Sequence, residues 1–132
     1  MNCNKKQIGG EHYNSSYQHW DFVERNDIGY LEGCATKYII RHHKKNGKQD
    51  VQKAEHYVEK LINLAQDECR CSRNRFEKKE EIEKFIQQNE LRRLESIICR
   101  YLFKVWTIED LYLALYFIRD LLNNYEDYNG RK

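Results

Sequence analysis

The chain has no proline in its 132 residues, where average usage of about 5% predicts six or seven. Proline breaks helices, edges strands and fixes turns. A chain without it, and with only six glycines, is free to run in long helices joined by short links. Charged residues make up 33% and hydrophobic residues 40%, a balance that suits amphipathic helices rather than disorder. The expected fold is all-α: residues 1–132 as a single-domain helical bundle of five or six helices built from αα-hairpins, with an irregular N-terminal arm.

Residues 1–17 read as that arm, broken at Gly9-Gly10. Trp20 and Val23, with Phe22, anchor a short first helix that closes between Asn26 and Gly29. A second helix is predicted from Tyr30 to Lys45, with Leu31, Cys34, Ala35, Tyr38 and Ile39 at helical spacing. Its basic last turn precedes Asn46-Gly47, good C-cap chemistry. Asp50 reads as the N-cap of a third helix, whose stripe of Val51, Ala54, Tyr57, Val58, Leu61, Ile62 and Ala65 runs to about Asp67. Beyond a polar link from Cys69 to Asn74, a fourth helix covers Phe76 to Gln88. Leu91, Leu94, Ile98, Tyr101 and Leu102 mark a fifth helix or a kinked continuation. Thr107 and Asp110 resemble a capping box, opening a last helix from Ile108 to about Tyr125. Residues 18–68 thus form a basic helical unit, and residues 75–126 a C-terminal helical extension.

A faint internal repeat runs through this order. Lys37-Tyr38-Ile39-Ile40-Arg41 is echoed by Arg100-Tyr101-Leu102-Phe103-Lys104. Asp50-Val51 with Ala54, Val58 and Leu61-Ile62 is echoed by Asp110-Leu111 with Ala114, Ile118 and Leu121-Leu122. The alternative is chance likeness between two amphipathic helix pairs. A real repeat predicts two αα-hairpins packed as a bundle, of which only the first keeps a basic link.

The formal net charge is only +2, which makes bulk nucleic-acid binding an unfavoured reading. The charge is instead local: Lys37 to Lys53 is strongly basic, with Asp50 as its one acid, and suits a discrete anion. Five cysteines cannot all pair, and neither a leader pattern nor a membrane-length apolar run is visible. A reducing cytoplasm with free thiols and no membrane partner is expected. No G-x-x-x-x-G-K-[ST] loop exists, so a P-loop kinase is excluded. Cys69, Cys71 and Cys99 lack the spacing of a zinc site, and no metal site is expected. Glu77, Glu80, Glu81 and Glu83 could suggest a magnesium site, but no E-x-x-D follows and a solvated face is the better reading.

On the second helix Lys37, Arg41 and Lys44 form a stripe along one edge of the apolar face. Like charges at i and i+4 repel, so either the acidic helix around Glu80 or a bound phosphate should offset them. Lys53 borders the third helix beside Tyr57, near a helix start suited to anions. Asp50 either caps that start or accepts from a ligand hydroxyl. From the arm, His12 and Tyr13 could close over a ligand, and Tyr13, Tyr17 or Trp20 could stack on a base. For Trp20, core packing is favoured.

These residues also resemble a known family. Glu11-His12-Tyr13, then Trp20-Asp21-Phe22-Val23, Gly33, Lys37-Tyr38 with Arg41, Lys45 and Gly47, then Asp50 with Lys53-Ala54 and Tyr57 are similar in order and spacing to domain of unknown function 3310. This phage family, sometimes called SaV-like, includes a nucleotide kinase. The resemblance covers about residues 8–64. It implies a phage protein acting on nucleotides in the host cytoplasm, as an oligomer. His12, Tyr13, Lys37, Arg41, Asp50 and Lys53 are the matching polar positions, with Lys45 and Tyr57 beside them. The family's proline near His-Tyr is missing here, and residues 70–132 have no recognised counterpart.

The expected function is therefore nucleotide binding, with two main forms. A kinase would use ATP and Mg²⁺, with Lys37, Arg41 and Lys53 on the transferring phosphoryl group. A binding-only protein would sequester a nucleotide immune signal, as an anti-defence device. A helical regulator of a host protein or nucleic acid is the remaining class. The run Leu111 to Phe117 is apolar around the whole helix, and with Ile40 it predicts a homo-oligomer.

Overall fold

The computed structural model describes residues 17–68, 79–104 and 107–129. Within them lie seven α-helices and no strand: α1 His19–Arg25, α2 Tyr30–Arg41, α3 Lys48–Glu68, α4 Lys79–Gln88, α5 Arg93–Phe103, α6 Ile108–Asn123 and α7 Tyr125–Asn129. No helix among the described residues is long and apolar enough to cross a membrane. The expected arm, with His12 and Tyr13, lies outside the described residues, as do Cys69 and Cys71.

Helix α1 is held by Phe22, which is fully buried against Phe103 (4.5 Å between ring centroids) and Phe85 (4.7 Å). Trp20 is not a core residue, since 54% of it is exposed. Phe22 is the one residue of α1 that is buried. Tyr17, read as part of the arm, is in the core, where its hydroxyl donates to Glu81 (3.0 Å).

The second helix is shorter than its periodicity predicts. It ends at Arg41 and continues as a single 3-10 turn, His42–Lys44. Gly47 then takes a left-handed conformation (φ 61°) and donates its N–H to the His42 carbonyl (2.7 Å). That is glycine's usual role at a helix end. Because the turn is so tight, α3 starts at Lys48, and Asp50 falls inside its first turn rather than at the cap. Helix α5 is a separate helix. The chain reverses through Glu90 (φ 54°) before it starts at Arg93. The capping box of α6 is present, with the Thr107 N–H donating to the Asp110 carboxylate (3.0 Å).

Helices α2 and α3 pack as one hairpin and α5 and α6 as another, with α2 laid on α5 and α3 on α6. The echo in the sequence has a structural counterpart. Tyr38 of α2 stacks on Tyr57 of α3 (5.9 Å), and Tyr101 of α5 stacks on Phe117 of α6 (6.2 Å). Ala54, Val58 and Leu61 on one side, and Ala114, Ile118 and Leu121 on the other, are all buried in one core. Ile40 is half-buried and packs on this core, so it does not point away from the bundle.

Candidate functional site

Tyr38 is the centre of the basic unit. The Arg41 guanidinium carbon lies 4.7 Å from its ring centroid, Lys37 Nζ 5.0 Å and Lys53 Nζ 5.2 Å. Lys37, Tyr38 and Arg41 come from consecutive turns of α2, and Lys53 comes across from α3, so the hairpin itself brings the three cations together. Each gains cation–π attraction, about 0.5–1 kcal/mol at an exposed site. Tyr57 backs the ring from the other hairpin arm.

The cations differ in how their charge is met. Arg41 is buried and donates to the fully buried Asp50 through Nε (3.3 Å) and Nη2 (3.4 Å). Asp50 also accepts the Asn46 backbone N–H (3.3 Å). The acid that offsets the α2 stripe is therefore Asp50, not the acidic helix. On α4, Glu81 accepts from Tyr17 and Glu83 pairs with Arg100 (2.7 Å). Among the described residues no carboxylate pairs with Lys37 or Lys53. Lys45 is exposed on the link, with no described contact to the cluster. Six predicted ligand positions thus fall in the described part. Lys37, Arg41, Asp50, Lys53 and Tyr57 converge, and Lys45 stands apart.

Beside the cluster, α1 and α2 enclose an open groove of about 510 Å³, which Lys37 also lines. His19 forms part of it and stays neutral: burial first, then the charge of Lys37, pulls its pKa down to about 4. Thr36 directs its hydroxyl proton to the carbonyls of Glu32 (2.9 Å) and Gly33 (3.1 Å), so it accepts from His19 Nε2–H (2.8 Å).

A second polar centre was not visible in the sequence. His42 is fully buried, with its Nε2 donating to Glu95 of α5 (2.7 Å) and its Nδ1 against the Tyr125 hydroxyl (2.8 Å). Glu95 also accepts from Arg92 (3.0 Å) and Tyr128 (2.6 Å). Burial alone would raise the Glu95 pKa. The hydrogen bonds from His42 and Tyr128, with the charges around it, hold it down at about 2. Burial and the bond to Glu95 push Tyr128 up to about 12. His43 brings a third metal-ligating side chain within 4.8 Å of the other two. The cluster is nevertheless built as a hydrogen-bonded junction, because both His42 nitrogens are engaged and Arg92 already occupies Glu95. The available signal was phase: His42 follows Tyr38 and Ile39, and Glu95 lies between Leu91 and Ile98, each on an apolar stripe.

The class that these features define is an all-α bundle with a cation–aromatic cluster on one hairpin. Residues 8–59 match the family described as protein of unknown function (DUF3310). The match takes in every converging residue of the cluster and stops within α3, leaving the second hairpin outside it. No curated protein and no solved structure matches the chain.

Proposed function

We propose that the chain binds a phosphate-bearing small molecule, a nucleotide, on the cluster of Lys37, Tyr38, Arg41, Lys53 and Tyr57. The observation that carries this reading is the convergence of three cations on one aromatic ring, two of them without a described carboxylate partner. Asp50 meets the charge of Arg41, but Lys37 and Lys53 still repel around the ring, and an anion between them relieves that repulsion. Charge-assisted hydrogen bonds to phosphate are about twice as strong as neutral ones.

Retention of the ligand fits better than its turnover. A kinase would bring ATP and Mg²⁺ to the cluster, yet its one acid among the described residues, Asp50, is committed to Arg41 and Asn46. In the setting that the resemblance implies, a phage protein in the host cytoplasm, this supports the reading of a protein that sequesters a nucleotide signal. The exposed Tyr112, Leu113 and Tyr116 of α6 supply an apolar face for a homo-oligomer, most simply a dimer.

Calorimetric titration of the protein with nucleotides and inorganic pyrophosphate tests the reading. Lys37→Ala and Lys53→Ala should each weaken binding about tenfold, the scale of one lost charge-assisted contact, without shifting the melting temperature. Unchanged affinity in both variants, or no binding to the parent protein, would sink it.

A further inference from the structure

Lys37 and Lys53 stand on different helices, so their separation depends on the turn that joins α2 to α3. That turn is gathered on one carbonyl. Lys45 (3.4 Å) and Gly47 (2.7 Å) both donate their backbone N–H to the His42 oxygen. The Gly47 carbonyl then accepts from the Asp50 N–H (3.0 Å), inside the first turn of α3. Asp50 in turn holds Arg41, and Arg41 lies over the ring of Tyr38. A shift in this turn therefore slides α3 along α2 and moves Lys53 relative to Lys37.

The support for the turn comes from the other end of the chain. Tyr125 opens α7 and is buried, and its hydroxyl lies 2.8 Å from His42 Nδ1. The same hydroxyl faces Gly47, where an added Cβ would meet it at 3.5 Å. One hydroxyl thus touches both ends of the turn, the residue that gathers its bonds and the glycine in the left-handed conformation. Burial, and then the carboxylates of Glu126, Glu95 and Asp50, push the Tyr125 pKa up, so the group stays protonated at neutral pH. Tyr128 stands one step further off, donating to Glu95 and accepting from the Leu94 N–H.

We infer that Tyr125 is a positioning residue for the anion cluster: its hydroxyl braces the turn between α2 and α3 and so sets the spacing of Lys37 and Lys53. The inference rests on the proposed phosphate site and adds its control, by a helix that lies outside the family match. Linkage of this kind is reciprocal. An anion drawn between Lys37 and Lys53 fixes the turn, and a fixed turn holds Tyr125 and α7 in place.

The test sets Tyr125→Phe against Tyr128→Phe in the full chain, with inorganic pyrophosphate as the calorimetric probe. Each variant keeps its ring and loses a hydrogen-bonded hydroxyl, so both should melt below the parent protein. Tyr125→Phe should bind pyrophosphate about fivefold more weakly, within the range by which residues that touch no ligand change a coupled affinity. Tyr128→Phe should bind it as the parent does. Should Tyr125→Phe fail to fold, the parent protein decides. Saturating pyrophosphate should slow amide hydrogen exchange in α7 about twofold or more, and leave it unchanged in α4, which packs on α5. Equal affinity in the parent and both variants, an equal loss in both variants, or exchange in α7 that ignores the anion would overturn the positioning role and leave the phosphate reading standing. If pyrophosphate does not bind the parent protein, the phosphate reading falls and the positioning role with it.

Discussion

The two hairpins share a plan and differ in what they do with charge. Each stacks an aromatic residue of its first helix on one of its second, Tyr38 on Tyr57 and Tyr101 on Phe117. Each buries the same series of small and branched residues. In the first hairpin the stacked pair carries Lys37, Arg41 and Lys53 around it. In the second, the residue matching Lys37 is Arg100, bound to Glu83, and the residue matching Lys53 is the exposed Leu113. The acids differ in the same sense. Asp110 caps its own helix, while Asp50 is buried under Arg41. The same packing thus recurs in both hairpins, and the cations gather around the stacked pair of the first. The other copy turns an apolar face outward at the matching place.

The largest expected effect comes from the buried charges that distinguish the copies. Arg41→Ala leaves Asp50 buried without its partner and should cost about 3–5 kcal/mol of unfolding free energy. Lys104→Ala, at the matching position, should cost less than about 1 kcal/mol. Urea unfolding measures both, and equal losses would break the distinction. This also makes Arg41 a poor probe of ligand contact, because its loss disturbs the fold first.

The next effect lies where the hairpins meet, since Glu95 of the second holds His42 of the first. The folded-state pKa of Glu95, about 2, is below its ordinary 4.5. Its stabilisation is therefore complete above pH 4.5 and lost as pH falls through about 2. The difference corresponds to roughly 3 kcal/mol. Urea midpoints at pH 5 and pH 2 should fall by less in Glu95→Gln than in the parent protein. An identical acid loss in the variant would mean that other carboxylates carry it.

The smallest effects come from exchanging the residues that set the two copies apart. Lys53→Leu should lower phosphate affinity about tenfold with little change in stability. Leu113→Lys should leave phosphate affinity alone and dissolve the proposed oligomer, giving a light-scattering mass near 16.1 kDa. That same mass for the unmodified protein would remove the apolar face from the comparison.

Much of this was legible because helices repeat locally. The stripe of α3 and the Thr107–Asp110 box each lie within a few residues of sequence and appear in the structure as expected, whereas the helix expected to run to Lys45 ends at Arg41. The convergence of Lys37, Arg41 and Lys53 was legible for the same reason, since one short link fixes how α2 faces α3. What was misread depends on tertiary context. Asp50 has the residue type of a cap, and only the tight Gly47 turn moves it into the helix. Trp20 has the residue type of a core anchor, yet Phe22 is the one residue of α1 that is buried. The partners of the buried His42, Glu95 and Tyr125, lie 53 and 83 residues away in sequence, beyond the reach of any local pattern.

That long-range junction sets a condition on how the chain is made. Synthesis makes the first hairpin before α5 and α7, so the nascent hairpin carries His42 before Glu95 and Tyr125 are there to meet it. Glu95 in turn has to wait for the hydroxyl of Tyr128, and α7 is too short to hold its shape alone. Completion of this junction is therefore deferred until Tyr128 has joined it, and a chain truncated before α7 should be cleaved by proteases faster than the full chain.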